Sequence, residues 1–221
     1  MIFAAVLLSA TALQPPSPSA SPSPSGTVVL LQTSLGDIKI RLDRDRAPIT
    51  VDNFLGYVRA RHYEGTIFHR VIPNFMAQGG NMGPDLKPRP TKPSIKNEAS
   101  SSGLKNLRGT IAMARTNDPN SATDQFFINV KDNAFLDPSP RNPAGYAVFG
   151  EVVEGMDVID KIVAVPTTVK GSNENVPQTP VLIKTARLLT PMPAARPVPR
   201  PAGAAAARPR PRPRPSGSPH P

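Results

Sequence analysis

Proline has no backbone N–H and fixes φ near −65°, so it is excluded from helix interiors and from central strands. Its placement constrains this chain more than any other feature. Of 29 prolines, five fall in residues 14–25 and eleven in residues 191–221. Packed structure is therefore confined to about 165 residues between Gly26 and Thr190, which hold the other 13 prolines. The same partition resolves the charge. The middle segment carries 20 basic and 16 acidic side chains, a net +4, and the remaining +6 of the chain's +10 comes from six C-terminal arginines. A segment of this length and ordinary composition builds one hydrophobic core and one domain. With no cysteine in the chain, disulfides, a thiol nucleophile, a zinc ribbon and a redox CxxC pair are excluded together. Only His62, His69 and His220 are histidines, too few and too scattered for a multi-histidine metal cage. Cofactor-free chemistry, or binding alone, is what remains.

The two ends read as attachments. Residues 1–13 are apolar and uncharged, and Ala10-Thr11-Ala12 fits the small-residue rule for signal-peptide cleavage. The stretch is too short to span a bilayer as a helix. A basic n-region is missing, since the first charged residue is Asp37. On balance the segment predicts export, to a periplasm or out of the cell. Residues 14–26 follow as a Pro/Ser-rich linker that cannot bury enough apolar surface to offset its ordering entropy. Residues 191–221 alternate arginine with proline and read as a disordered basic tail for which polyproline II is the accessible extended form. The tail is a solubilising segment in the plainest reading and a contact for an anionic polymer in the sharper one. It interleaves no aromatic residue, so it offers no stacking platform for single-stranded nucleic acid.

Between the ends, residues 28–31 and 38–42 flank the turn Leu35-Gly36-Asp37 and read as a hairpin. Val51, Phe54, Leu55 and Val58 recur at helical spacing from Pro48 onward. Strand-like runs follow at 66–72, 75–78, 109–114, 126–130, 146–153 and 180–189, and a second helix is predicted over 155–163 with Met156, Ile159, Ile162 and Val163 inward. Eight strands and two helices predict a mainly β fold: a closed eight-stranded antiparallel barrel whose open ends the two α-helices cap. Residues 81–108 have turn formers but little periodicity, and are predicted to lie over the barrel wall beside a groove.

No nucleophile elbow, Walker A loop, zinc-protease helix or dinucleotide fingerprint is present. His69 sits inside a strand pattern and reads first as a packed, hydrogen-bonded core histidine. What stands out is a set of ordered motifs: FHRVIPNFMAQGGNM at 68–82, GTIAMAR at 109–115, DQFFINV at 124–130, NAFLD at 133–137 and GYAVFGEV at 145–152. These resemble the cyclophilin family of peptidyl-prolyl cis/trans isomerases, most closely its exported bacterial members. The resemblance covers nearly all of residues 28–189 and neither tail.

What the resemblance implies is an isomerase of X-Pro bonds, needing no cofactor and acting on proline-containing peptides and unfolded protein clients; nothing in the sequence suggests an obligate oligomer, and a monomer is expected. The family's catalytic arginine falls on Arg70, and its hydrophobic proline pocket on Phe75, Met76, Phe127, Leu136 and Tyr146. Gln78 matches the glutamine that bonds the substrate backbone, Gln125 a second groove glutamine, and Ala114 and Arg115 the rim whose main chain pairs with the peptide. Phe135 and Tyr146 stand where eukaryotic members have tryptophan and histidine, which argues against high cyclosporin affinity. Asp124 replaces a small polar residue and is expected to alter peptide preference beside the groove.

The residue types are consistent with this on physical grounds. Alternation puts Arg70 and Ile72 on one strand face, with His69 and Val71 on the other, and an arginine between apolar neighbours is costly to bury unless its head faces a cleft. Phe75, Met76, Phe127 and Leu136, taken singly, would be plain core. Their combination with Arg70 and Gln78 favours a site. The competing reading is a proline-peptide binding or scaffold protein of low turnover, tethered by its basic tail.

Overall fold

The structure is a computed structural model, and it describes residues 26–189. The expected signal segment, nearly all of the linker and the basic tail lie outside the described residues. The strands are β1 (Thr27–Thr33), β2 (Asp37–Leu42), β3 (Thr66–Ile72), β4 (Met76–Gly79), β5 (Thr110–Met113), β6 (Phe126–Asn129), β7 (Val148–Glu154), β8 (Thr167–Lys170), β9 (Asn173–Pro177) and β10 (Leu182–Leu188). The helices are α1 (Pro48–Arg59), the single turn α2 (Ala99–Ser102) and α3 (Met156–Val163), with a 3₁₀ turn at Ala134–Leu136. Eight strands close into a barrel in the order β1-β10-β3-β4-β6-β5-β7-β2. Every pairing is antiparallel. This is the architecture expected from the sequence. The eighth and ninth strands, a separate hairpin, were not.

Alternation divides the wall into an inner and an outer face. Inward, Phe126 makes edge contacts with Phe54 of α1, Tyr63 and Phe68, with ring centroids 5.8, 5.5 and 6.1 Å away. Val29, Leu31, Ile38, Ile40 and Phe149 are fully buried in the same core. Outward, Met76, Ala112, Phe127, Leu136 and Val148 form a second buried apolar cluster, against which Phe75, Leu104 and Tyr146 pack. One sheet thus separates two cores, and the candidate site is built on the outer one.

Helix α1 buries Val51, Phe54, Leu55 and Val58, the stripe predicted from their spacing. Helix α3 touches β2, β3 and β4, which are not all neighbours around the barrel, so it lies across an open end. Its inward residues are Val158, Ile159, Ile162 and Val163; Met156 is only half-buried. Val158 takes the inward place because it packs where Gly36 leaves room: a Cβ on Gly36 would sit 2.7 Å from its Cγ2. Among the described residues, no helix is long and apolar enough to cross a membrane.

The stretch 81–108 lies on the barrel and is fastened at intervals, Lys92 N–H to Tyr57 Oη at 2.8 Å among them. Its strongest fastening is Glu98, buried at 5 % exposure, which does the work of an N-cap from 48 residues away. The carboxylate accepts from Ile49 N–H (3.1 Å), Thr50 N–H (2.8 Å) and Thr50 Oγ1–H (2.7 Å). Ala47, at the N-cap position itself, supplies no side-chain bond. One acid therefore satisfies orphan donors, complements the helix dipole and ties the long loop to α1. Glu98→Ala leaves buried donors unpaired and is expected to cost about 2–3 kcal/mol. Glu98→Gln, which keeps one acceptor, should cost less. Urea midpoints at constant m-value check both, and equal stability of Glu98→Ala and wild type would refute the tether.

Candidate active site

The register places the site's floor in one row across five strands. Arg70 of β3 pairs with Gln78 of β4, Gln78 with Phe127 of β6, Phe127 with Ala112 of β5, and Ala112 with Val148 of β7. Cross-strand partners share a face, so all five point outward. Arg70 reaches that face through a β-bulge. Phe68 pairs with Gly79 and Arg70 with Gln78, so two steps on β3 answer one on β4, and His69 is the extra residue. Strict alternation from the inward Phe68 would have turned Arg70 into the core. Gly79 permits the close approach, because a Cβ there would lie 3.0 Å from the Ile67 carbonyl oxygen.

On this floor stands an open cleft with about 450 Å³ of empty volume, lined by Arg70, Phe75, Met76, Gln78, Ala114, Arg115, Phe127, Leu136 and Tyr146. Nine of the eleven residues singled out in the sequence meet there. The other two lie beside it. Gln125 accepts a 2.9 Å hydrogen bond on Oε1 from Gln78 Nε2–H, and Phe135, 63 % exposed, stacks on the outside of Phe75 at 5.6 Å.

Each wall is held from behind. Phe75 follows Asn74, whose φ of 57° turns the chain between β3 and β4. The Phe75 carbonyl accepts from Val130 N–H and from Asn133 Nδ2–H, both at 3.0 Å. Asn133 also donates to Asn129 Oδ1 (2.8 Å), and Asn129 to Asn106 Oδ1 (3.2 Å). This buried amide chain fixes the 3₁₀ turn, which points Leu136 into the cleft and Phe135 to solvent. Tyr146 meets Phe127 edge-on at 5.7 Å. The Arg115 guanidinium lies over the Tyr146 ring at 4.4 Å and donates to the carbonyls of Gly145 (2.9 Å) and Thr116 (2.8 Å). Its head is spent on the rim.

Arg70 is the reverse case. Half-buried at the edge of an apolar cleft, it makes one long hydrogen bond, Nη1–H to Gln78 Oε1 at 3.4 Å. Among the described residues it makes no ion pair. Four more N–H donors remain for a ligand. The cleft lining contains no carboxylate, so the arrangement can donate hydrogen bonds and grip an apolar ring but has no acid/base pair.

Residues 28–188 match the family described as Cyclophilin type peptidyl-prolyl cis-trans isomerase/CLD. That is most of the chain. It belongs to the cyclophilin family. Among relatives, peptidyl-prolyl cis-trans isomerase A of Dickeya dadantii is 53% identical over 190 residues, covering 85% of this chain and 97% of that protein. Peptidyl-prolyl cis-trans isomerase B of Escherichia coli is 54% identical over 160 residues, covering 72% and 97%. A solved Cryptosporidium parvum cyclophilin, crystallised in the presence of the dipeptide Ala-Pro, is 25% identical with a TM-score of 0.62, covering 74% of this chain and 99% of its own.

Two expectations for this cyclophilin need correction. Asp124 does not face the groove. It is fully buried on the inner side, where Oδ2 takes His62 Nε2 and Asn81 Nδ2–H at 2.7 Å each, and its carbonyl accepts from Tyr63 Oη–H at 3.0 Å. It is a structural anchor for the strand carrying Phe127. His69 is packed, but not fully hydrogen-bonded, since its buried Nδ1 has no partner. The amide chain of Asn106, Asn129 and Asn133 escaped the sequence reading altogether. Its only signal was asparagine recurring in otherwise apolar strand-and-turn motifs.

Burial, with Arg70 adding to it, lowers the pKa of His69 from 6.5 to about 4. Between those values the unfolded chain binds a proton that the folded chain does not, so stability falls as pH drops from 6.5 towards 4. The contribution is about 3 kcal/mol at most. His69→Gln should flatten this part of the profile relative to wild type, read as urea midpoints at pH 7 and 4.5. Parallel profiles would contradict it.

Proposed function

We propose that the cleft catalyses cis/trans rotation about X-Pro peptide bonds, with Arg70 as the catalytic group. The observation that carries this is a half-buried guanidinium with unspent donors at the edge of an apolar pocket. Rotation about a peptide bond costs about 18–20 kcal/mol because resonance gives C–N double-bond character. The two X-Pro isomers differ by only about 0.5–1 kcal/mol. A catalyst must therefore lower a barrier without breaking a bond, and an acceleration of about 10⁵ requires about 7 kcal/mol of preferential transition-state binding.

In the twisted amide the nitrogen pyramidalises and regains a lone pair that the planar amide lacks. Arg70 can donate to that nitrogen, and the bond strengthens as twisting proceeds. A charge-assisted hydrogen bond contributes about 1.5–3 kcal/mol, so the pocket must provide the rest. Phe75, Met76, Phe127, Leu136 and Tyr146 hold the proline ring on one side of the bond. Gln78, steadied by Gln125, and the main chain of Ala114 and Arg115 hold the flanking peptide. Ala114 spends its N–H on the Gln125 carbonyl at 2.9 Å, so its carbonyl is the group offered to substrate. The acyl side turns, and leaving water favours the less polar twisted state.

The wider role rests on sequence. The N-terminal segment supports export to the periplasm or beyond, where the enzyme acts as a monomer on unfolded clients, and the basic tail supports contact with an anionic polymer. Deleting residues 191–221 should abolish salt-sensitive retention on an anionic resin. Equal retention of both forms would leave the tail without that role. At the cleft, Arg70→Ala is expected to lower kcat/KM for a proline tetrapeptide by about 10²-fold or more, equivalent to about 2.7 kcal/mol, with an unchanged circular dichroism spectrum. Phe75→Ala should act mainly on KM through the lost ring contact. Near-normal turnover by folded Arg70→Ala would refute the assignment.

A further inference from the structure

On the other side of Arg70 and Gln78 from the cleft lies a second hollow. His69 and Gln125 form part of its wall, and the hairpin of β8 and β9 contributes Asn173 and Glu174. The hairpin is not a loose appendage. Strand β9 packs against β3, the strand that carries His69 and Arg70, and Val176 anchors it at 2 % exposure, two residues beyond Glu174. The backbone of Glu174 is thereby fixed beside the hollow, and its side chain joins the wall.

The charges there are few. Gln78, Gln125 and Asn173 are neutral, and His69 is uncharged at any pH well above 4. What remains is Arg70, on the wall shared with the cleft, and Glu174, which is exposed and has no ion-pair or hydrogen-bond partner among the described residues. Arg70 and Gln78 line both spaces, so a peptide whose proline fills the cleft and whose chain continues over these two side chains enters the hollow. Consecutive Cα atoms are about 3.8 Å apart, so a residue one or two positions from the proline arrives at the hollow.

We propose that this hollow is a subsite for a residue flanking the proline, and that Glu174 makes it select lysine or arginine over glutamate or aspartate. The inference rests on the proline-isomerase reading of the cleft. It adds a specificity determinant that lies on the hairpin rather than in the barrel. Glu174 touches no reacting atom, so its effect falls on KM and affinity rather than on kcat. As an exposed pair, Glu174 with a peptide cation should give about a three- to fivefold preference at low salt, fading as ionic strength rises to about 0.5 M.

The test is a peptide series around one proline, with lysine, glutamine or glutamate placed singly at each position within two residues of it. Two-dimensional NMR exchange gives turnover, and titration of the same peptides gives affinity. At one position wild type should prefer lysine to glutamate about three- to fivefold, Glu174→Gln should bring the ratio towards one, and Glu174→Lys should invert it. A lysine-to-glutamate affinity ratio that is the same in wild type and Glu174→Lys at every position overturns the inference. So does a ratio that is unmoved by salt. Absence of wild-type turnover on the glutamine peptides would instead sink the isomerase reading, and the affinity ratios would still decide the subsite.

Discussion

The bulge at His69 is the constraint on which the site depends. A barrel wall has two faces, and its inner one is reserved for Phe68, Phe126 and their neighbours, on which Phe54 of α1 packs. An arginine on that face would need a buried partner or would unfold the wall, since an uncompensated charge in an apolar interior costs far more than one domain's net stability. Inserting one residue between Phe68 and Arg70 moves the guanidinium out while leaving Phe68 in. The displaced cost appears at His69, which is buried without a partner for Nδ1 and kept neutral by its surroundings.

Putting the functional face outside the barrel creates a second requirement. An apolar cleft on a convex wall has no natural depth, so its sides must come from loops, and loops must be fastened. Two fastenings do this here: the Asn106–Asn129–Asn133 chain behind Phe75 and Leu136, and the Arg115 head over Tyr146. Each pairs side-chain donors with main-chain or amide oxygens while fixing the direction of an aromatic or aliphatic wall. Stability and preorganisation are here supplied by the same bonds.

Much of this was legible in the sequence because periodicity reports on faces. The stripe Val51, Phe54, Leu55, Val58 specifies which side of α1 is buried without any tertiary information, whereas 126–129, buried at all four positions, shows no alternation and takes its faces from register alone. The hairpin of β8 and β9 escaped because its first strand is half-exposed along most of its length, so no alternation marks it. Glu98 escaped because a cap supplied from 48 residues away leaves no local pattern. Asp124 was misread because which face a strand residue takes depends on register. It precedes Gln125 by one position, and that step is the difference between the inner and the outer side of the wall.

That same step governs the electrostatics of the cleft. An arginine that is to donate to a weakly basic, transient lone pair must not already be paired, since a carboxylate is the better acceptor and would hold the guanidinium in the ground state. Turned outward, Asp124 would stand next to Gln125, within the side-chain chain that runs through Gln78 to Arg70. Turned inward, its charge is taken up by His62, Asn81 and Thr123. Glu174 is placed further out, at the mouth of the adjoining hollow and in solvent, where screening weakens its pull on Arg70. Of the two arginines lining the cleft, Arg115 is spent on the rim and Arg70 keeps all but one of its donors free for the proposed amide contact. The proposed catalysis depends as much on where the acids are not as on where Arg70 is.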